Sequence, residues 1–292
     1  MPGMQLTAII PVSQPGERNR YLEKWLSSLP HNIQVILVHD QSLENECEST
    51  CPLSKFAQFA QIEILCSPFG NPGDARNYAL DYGHLEGEYL TFWDSDDLPM
   101  TKNVSELLNS NLSVDVIVGR YTKYHLKSGQ RIETSEPMGL FSMVVGIGLW
   151  RMVIRRQFVE KLRFQSLLLG EDQLYFLDLL KMKPNIIFVD FLLYEYLVHE
   201  HSLIKSAEKN LSQLSLVLNS RPRETTFVSR VLRAKLELSI LKKGLWFHKG
   251  NRSVLYFRGS KDWVALSAAI SLIVIMKIMQ LVGYGKTKTA PK

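Results

Sequence analysis

Cysteine is scarce and odd in number: Cys47, Cys51 and Cys66 are the only three in 292 residues. They build no disulfide framework, and no second cluster completes a four-ligand zinc motif, so a reduced cytosolic setting fits best. Cys47 and Cys51 with a His elsewhere are the one cysteine-based metal option, and the cysteine count does not favour it. Repeats and low-complexity tracts are absent. Gly 17 and Pro 12 exclude a collagen-like chain, and 46% hydrophobic with 22% charged residues excludes a disordered or polytopic membrane chain. The first residues lack a basic segment, and Leu6–Val12 is too short for a signal-peptide core, so the expectation is a cytoplasmic protein. The length suits one large α/β domain with an appendage, or two small domains.

Positive charge is nearly missing from the first hundred residues. They hold 5 Lys/Arg against 14 Asp/Glu, whereas residues 101–292 hold 29 against 15. The acidic part suits a divalent cation, and the basic part suits phosphates, nucleic acid or anionic lipid.

Leu6–Val12, Ile33–Val38, Ile62–Cys66 and Tyr89–Trp93 are short apolar runs bounded by polar or turn residues and read as buried strands. Between them, Arg18–Leu29 has helical spacing, Leu53–Ala60 reads as a helix, and Asp74 is placed to cap a helix through Leu80. This βαβαβαβ order predicts a mostly parallel central sheet with helices on both faces. Ligands of such sheets bind beyond the strands' carboxyl ends, where Asp40 and Asp94–Asp97 fall. Further on, Val114–Leu126, Arg151–Arg156, Ile186–Asp190 and Leu192–Val198 read as strands and Glu171–Lys181 as a helix.

Three carboxylates within Asp94-Ser95-Asp96-Asp97 repel one another unless a cation or solvent intervenes, and hard oxygen ligands suit Mg²⁺ or Mn²⁺. The bland alternative is a solvated turn capping the next helix. Glu171-Asp172 opens a helix; the pair is either a cap favoured by the helix dipole or a general base on a rigid element. Arg76 falls in the first turn of its helix, where a cation opposes the dipole. It is explained by a ligand, or by a neighbouring acid such as Asp40 or Asp74.

Taken in order, these residues resemble the family 2 glycosyltransferases of the GT-A fold. The match runs through Ala8-Ile-Ile-Pro11-Val12, His39-Asp40-Gln41-Ser42, Ala75-Arg76-Asn77 and Phe92-Trp93-Asp94-Ser95-Asp96-Asp97. It continues through Trp150, Arg155-Arg156, Phe164, Glu171-Asp172 and the segment Tyr194 to Ser202, with His199 and His201. The resemblance covers residues 5–205, and His39 replaces one acid of the pattern. It implies a nucleotide-sugar site of Pro11, Val12, Asp40, Arg76, Asp94 and Ser95, with Asp40 and Arg76 on the base and Asp94 near the ribose. It implies Mn²⁺ or Mg²⁺ on Asp96 and Asp172 as catalytic base. Trp150, Glu171, His199 and His201 are candidates for the acceptor or diphosphate, Trp150 being equally readable as core. The implied division is a catalytic domain 1–205, with a nucleotide-binding half 1–100 and an acceptor half 101–205. A basic, helical region 206–292 follows.

One base with no nucleophile on the other face of the sugar argues for inversion. The implied activity is sugar transfer from a nucleotide sugar, UDP being commonest, to a saccharide or lipid-linked acceptor in surface polysaccharide or glycolipid synthesis. A nucleotidyltransferase or a non-catalytic sugar-nucleotide scaffold are the alternatives. The first is disfavoured because Ser13–Arg18 offers one Gly rather than a Gly-rich phosphate loop.

Residues 221–261 carry 11 Lys/Arg against Glu224 and Glu237, and the apolar stretch Trp263–Val282 follows. Twenty helical residues would span about 30 Å, but Lys277 and the basic end argue against simple crossing. The expectation is an interfacial helix on the anionic inner face of the cell membrane, acting through 221–282. The alternative is a helix buried on the catalytic domain or on a second copy. Nucleic acid is not an expected partner, because an apolar stretch beside the charge fits lipid better.

Overall fold

A computed structural model describes residues 3–13, 15–41, 51–110, 113–133, 139, 143, 147–198, 207–222, 224–247 and 263–282. Four strands open the chain: β1 (Leu6–Val12), β2 (Ile33–Asp40), β3 (Ile62–Ser67) and β4 (Tyr89–Phe92). They pair in parallel in the order β3-β2-β1-β4, with Leu6 beside Ile33 and Tyr89. Alternation along each strand sends side chains to two cores. Ile9, Ile36, Val38, Leu90 and Phe92 go to one, and Leu6, Ala8, Ile10, Val12, Val35 and Leu37 to the other. Burial on both faces is why these strands read as continuous apolar runs.

Helices cover both faces. On the second face, α1 (Pro15–Leu26) packs Leu22, Trp25 and Leu26, and α3 (Thr101–Asn109) packs Val104, Leu107 and Leu108. On the first, α2 (Pro72–Tyr82) packs Ala75, Ala79 and Leu80, and after the short α4 (Arg156–Val159), α5 (Glu171–Lys181) packs Leu174, Tyr175 and Leu177.

The sheet is mixed, which corrects the expectation of a mostly parallel one. Beyond β4 it continues through β8 (Met152–Arg155), β6 (Val116–His125), β9 (Ile186–Val198) and β5 (Leu98–Pro99), with β7 (Gln130–Glu133) paired to β6. β8 is antiparallel to both β4 and β6, and β5 to β9; among the described residues of this half only β6 and β9 run parallel. The hairpin joining β6 to β7 makes one antiparallel pair unavoidable. Two separate strands expected at Ile186–Asp190 and Leu192–Val198 are one long strand, and its register against β6 shifts at Arg120. The helix expected at Leu53–Ala60 is a single 3-10 turn, Ser54–Phe56, held by Leu53 and Phe56 in the core.

Three helices close the chain: α6 (Ala207–Ser220), α7 (Phe227–Phe247) and α8 (Trp263–Val282). Leu211, Leu214 and Leu218 of α6, Val231, Leu232 and Leu236 of α7, and Ala265 and Ala269 of α8 join the core of α5. The opposite side of α8 exposes Val264, Ile270, Val274 and Ile275. Among the described residues, no helix is long and apolar enough to cross a membrane.

Candidate active site

The carboxyl ends of β1, β2 and β4 bring Pro11, Val12, Asp40 and Asp94 to one rim, as the βα pattern requires. Val12 is fully buried and packs in the second core, so the expected nucleotide contact at this residue is not exposed in this structure. The Asp40 carboxylate accepts the backbone N–H groups of Phe69 (3.0 Å) and Gly70 (3.0 Å), which fixes the turn leading into α2. Gly70 has φ +72°, a conformation that suits glycine.

The first turn of α2 carries the centre of the site. Asn71, rather than the expected Asp74, is the N-cap: its Oδ1 accepts from the Asp74 N–H at 2.8 Å. Asp74 instead accepts from Ser166 Oγ at 2.7 Å, and Asn77 exchanges two hydrogen bonds with the backbone of Phe164. A Cβ on Gly73 would lie 2.6 Å from the Gln165 carbonyl, so only glycine permits this approach. These contacts seat α2 against the chain just ahead of α5.

Arg76 is 6% exposed, and its guanidinium forks between two acids. Nη2 donates to Asp94 Oδ1 at 2.9 Å and Nη1 to Glu171 Oε1 at 3.0 Å. The Phe164 ring lies 5.3 Å from the guanidinium and stacks on Tyr175. The neighbouring-acid explanation of Arg76 is therefore right in kind, with Asp94 and Glu171 as partners in place of Asp40 and Asp74. Burial disfavours the charge on Arg76, but Asp94, Glu171 and Asp172 outweigh it and hold the guanidinium above its ordinary value. Glu171, a candidate for acceptor or diphosphate, is turned to this arginine and is 8% exposed.

Asp172 follows on the same turn, which the left-handed Gly170 (φ +85°) opens. Burial first, and the Glu171 charge second, push its carboxyl up to about 7 against the pull of Arg76. A carboxyl near 7 is matched to proton transfer at neutral pH.

The acidic turn after β4 divides its work. Asp97 is 1% exposed; it accepts from Tyr194 Oη at 3.0 Å and from the Leu197 N–H at 2.7 Å. Burial, Asp94 and Asp96 together raise Asp97 well above the usual carboxylate range. Tyr194 Oη in turn accepts from the Asp94 N–H at 3.0 Å. The sequence pattern does not reveal this lock between β4 and β9. Its signal in the sequence is a fourth-position acid and a Tyr almost one hundred residues apart, which spacing alone does not connect. Ser95 is buried in the turn, and Asp96 is half-buried at the rim.

Asp97 is turned into the protein; Asp96, and Asp94 beside its Arg76 pair, carry the hard oxygens of this turn that suit Mg²⁺ or Mn²⁺. One or two carboxylates plus substrate phosphates is what such ions take, so the donor set fits. Among the described residues the one group of three metal-type ligands converging within 4.8 Å lies elsewhere, at His39, Cys51 and Cys66.

Trp150 stacks on Tyr194 with ring centroids 4.6 Å apart and on Tyr196 at 5.7 Å, next to Tyr121. It is half-buried: these rings pack one part of it, and part stays exposed. His199 and His201, most of the glycine-rich Leu140–Leu149 segment, and Cys47 lie outside the described residues.

No protein-family model matches the chain. It is 26% identical over 178 residues to an uncharacterized glycosyltransferase of Haemophilus influenzae, covering 58% of this chain and 69% of that protein. It is 25% identical over 231 residues to the glycosyltransferase GlyA of Streptococcus pneumoniae, covering 68% of this chain and 31% of that one. The chain is similar to glycosyltransferases. It is also 25% identical over 213 residues to the succinoglycan biosynthesis protein ExoW of Rhizobium meliloti, covering 64% of this chain and 66% of ExoW. The matches thus span about two thirds or less of these relatives. Among solved structures, Staphylococcus aureus TarS 1–349 in complex with UDP-GlcNAc matches 92% of this chain and 81% of its own, with TM-score 0.58 and 17% identity. The same TarS fragment in complex with UDP gives TM-score 0.59 at 16% identity. At such identity the likeness is one of fold.

Proposed function

We propose that this protein is a GT-A, inverting glycosyltransferase that moves a sugar from a nucleotide sugar to a hydroxyl of a saccharide acceptor. The observation that carries the reading is the assembly of Asp94, Arg76, Glu171 and the near-neutral Asp172 at the carboxyl rim of a nucleotide-type sheet. TarS was solved with UDP-GlcNAc, so UDP-sugars are the first donors to test.

In this mechanism Asp40 and Asp94 position the nucleoside, and Asp96 would hold a divalent cation. The chemistry such a cation would supply is charge neutralisation of the leaving diphosphate. Arg76 keeps Asp94 and Glu171 in fixed orientation, and the Asp97–Tyr194 lock fixes the turn that presents Asp96. Asp172 takes the proton of the acceptor hydroxyl as that oxygen bonds to the anomeric carbon. The bond from that carbon to the diphosphate breaks on the opposite side, and the configuration inverts. The acceptor is proposed to be lipid-linked. Support comes from the apolar residues exposed on the C-terminal helices, Leu216, Phe227, Val264, Ile270, Val274 and Ile275, within a basic region.

The test is incubation with UDP-sugars and Mn²⁺. Release of UDP supports transfer. Release of pyrophosphate from a nucleoside triphosphate supplied with sugar phosphate makes the protein a nucleotidyltransferase. Donor binding without either product makes it a scaffold.

A further inference from the structure

We propose that His39, Cys51 and Cys66 bind a zinc ion on the face of the sheet opposite the carboxylates. The site does not rest on the sugar-transfer reading.

The sheet itself sets two of the ligands side by side. His39 is the next-to-last residue of β2, and its register partner on the parallel β3 is Cys66. Register partners project to the same face. Leu37 and Ile64, two residues earlier on each strand, belong to the core of α1 and α3, so His39 and Cys66 point to that side. Asp40, one residue on, falls to the other side, where its carboxylate meets Phe69 and Gly70. The residue that departs from the two-acid pattern of the glycosyltransferase resemblance is therefore turned away from the nucleotide rim. Cys51, in the segment before the 3-10 turn, packs against the same second core and supplies the third ligand.

Two of the three ligand-to-ligand distances match those of a tetrahedral zinc site. Zinc binds thiolate at about 2.3 Å and imidazole at about 2.0–2.1 Å, and tetrahedral angles then set a sulfur–sulfur edge of about 3.8 Å and a sulfur–nitrogen edge of about 3.5 Å. Cys51 Sγ lies 3.8 Å from Cys66 Sγ and 3.5 Å from His39 Nδ1, and the three ligand atoms all fall within 4.8 Å of one another. The sulfur–sulfur distance is far beyond a disulfide bond of about 2.05 Å.

The chemistry selects the ion. Two sulfurs and one imidazole suit zinc and reject Mg²⁺, Mn²⁺ and Ca²⁺, which prefer oxygen. Binding converts two thiols to thiolates and releases two protons with no change in oxidation state. Two thiolates and a neutral imidazole leave Zn²⁺ with no net charge. That balance suits a site whose histidine is 1% exposed and whose cysteines are half-buried. A zinc ion there ties the segment at Cys51 to the ends of β2 and β3, one residue short of Asp40.

The experiment is metal analysis of the untagged full chain, purified with reductant after growth with zinc. We expect about one zinc per chain. Cys51→Ser and Cys66→Ser should each lower that content at least tenfold. Unchanged zinc in both variants, or a wild type without zinc, overturns the proposal. So does a wild type without zinc whose mass falls by two hydrogens under air, which would make the pair a disulfide. Should a variant fold poorly, Co²⁺ titrated into metal-free wild type decides. A thiolate-to-cobalt charge-transfer band with strong visible absorption supports the site, and only the weak absorption of oxygen-bound cobalt overturns it.

Discussion

Asp172→Asn separates a base from a structural acid, because the two roles predict opposite changes in stability. The wild-type carboxyl lies at about 7 in the folded chain and near 3.9 in an unfolded one. Between those values the folded state holds the extra proton, so stability is fully present below pH 4 and is lost as pH rises through 7. Three pK units at 1.36 kcal/mol each bound that loss at about 4 kcal/mol. The amide cannot ionise and escapes it. Asn also adds an –NH₂ group that needs partners beside Glu171 and Arg76, which offsets part of the gain. At pH 8 the variant should therefore be more stable than wild type by about 1–3 kcal/mol. Its stability should lose most of the decline between pH 4 and 7. Turnover should fall by about 10²–10⁴-fold with donor affinity retained. Urea unfolding at several pH values and steady-state kinetics read these quantities. A variant less stable at pH 8, or one with unchanged turnover, refutes the assignment of Asp172.

Arg76→Met leaves the buried Glu171 and the partly exposed Asp94 without a counter-charge. Urea unfolding at pH 8 should show a loss of about 3 kcal/mol, the lower end for breaking a buried pair. Because Arg76 holds Asp172 down, the acid limb of the pH–rate profile should also move upward in that variant. Asp96→Ala should abolish metal-stimulated turnover while thermal unfolding stays within about 0.5 kcal/mol of wild type, since a rim carboxylate leaves no core cavity. Ile270→Asp with Val274→Asp alters the exposed side of α8 and spares Ala265 and Ala269. Sedimentation with anionic vesicles should drop while UDP release persists; undiminished vesicle binding rules out this face as the lipid contact.

The local code of the first hundred residues was legible because the parallel strands are buried on both faces. Largely apolar runs such as Ile33–Val38, broken only at Gln34, leave little choice of element, and βαβ connections order the strands. Asp40, Asp94 and Asp172 were likewise visible as acids at strand or helix ends, and the resemblance gave them an order. What the sequence left open were matters of pairing across distance. Arg76 opposes its own helix dipole, and only the approach of α5 and β4 supplies the two carboxylates that repay it. Asp97 looked like a third metal-type acid until β9 brought Tyr194 and the Leu197 N–H against it. Leu53–Ala60 reads as a helix, but the tertiary contacts that bury Leu53 and Phe56 leave it as one 3-10 turn, Ser54–Phe56. The antiparallel half of the sheet, and the meeting of His39 with Cys66 through strand register, depend on which strands become neighbours. Composition and periodicity decide which face a residue shows, because alternation is local. Which residue meets it there is decided by the topology, because the partner comes from a distant part of the chain.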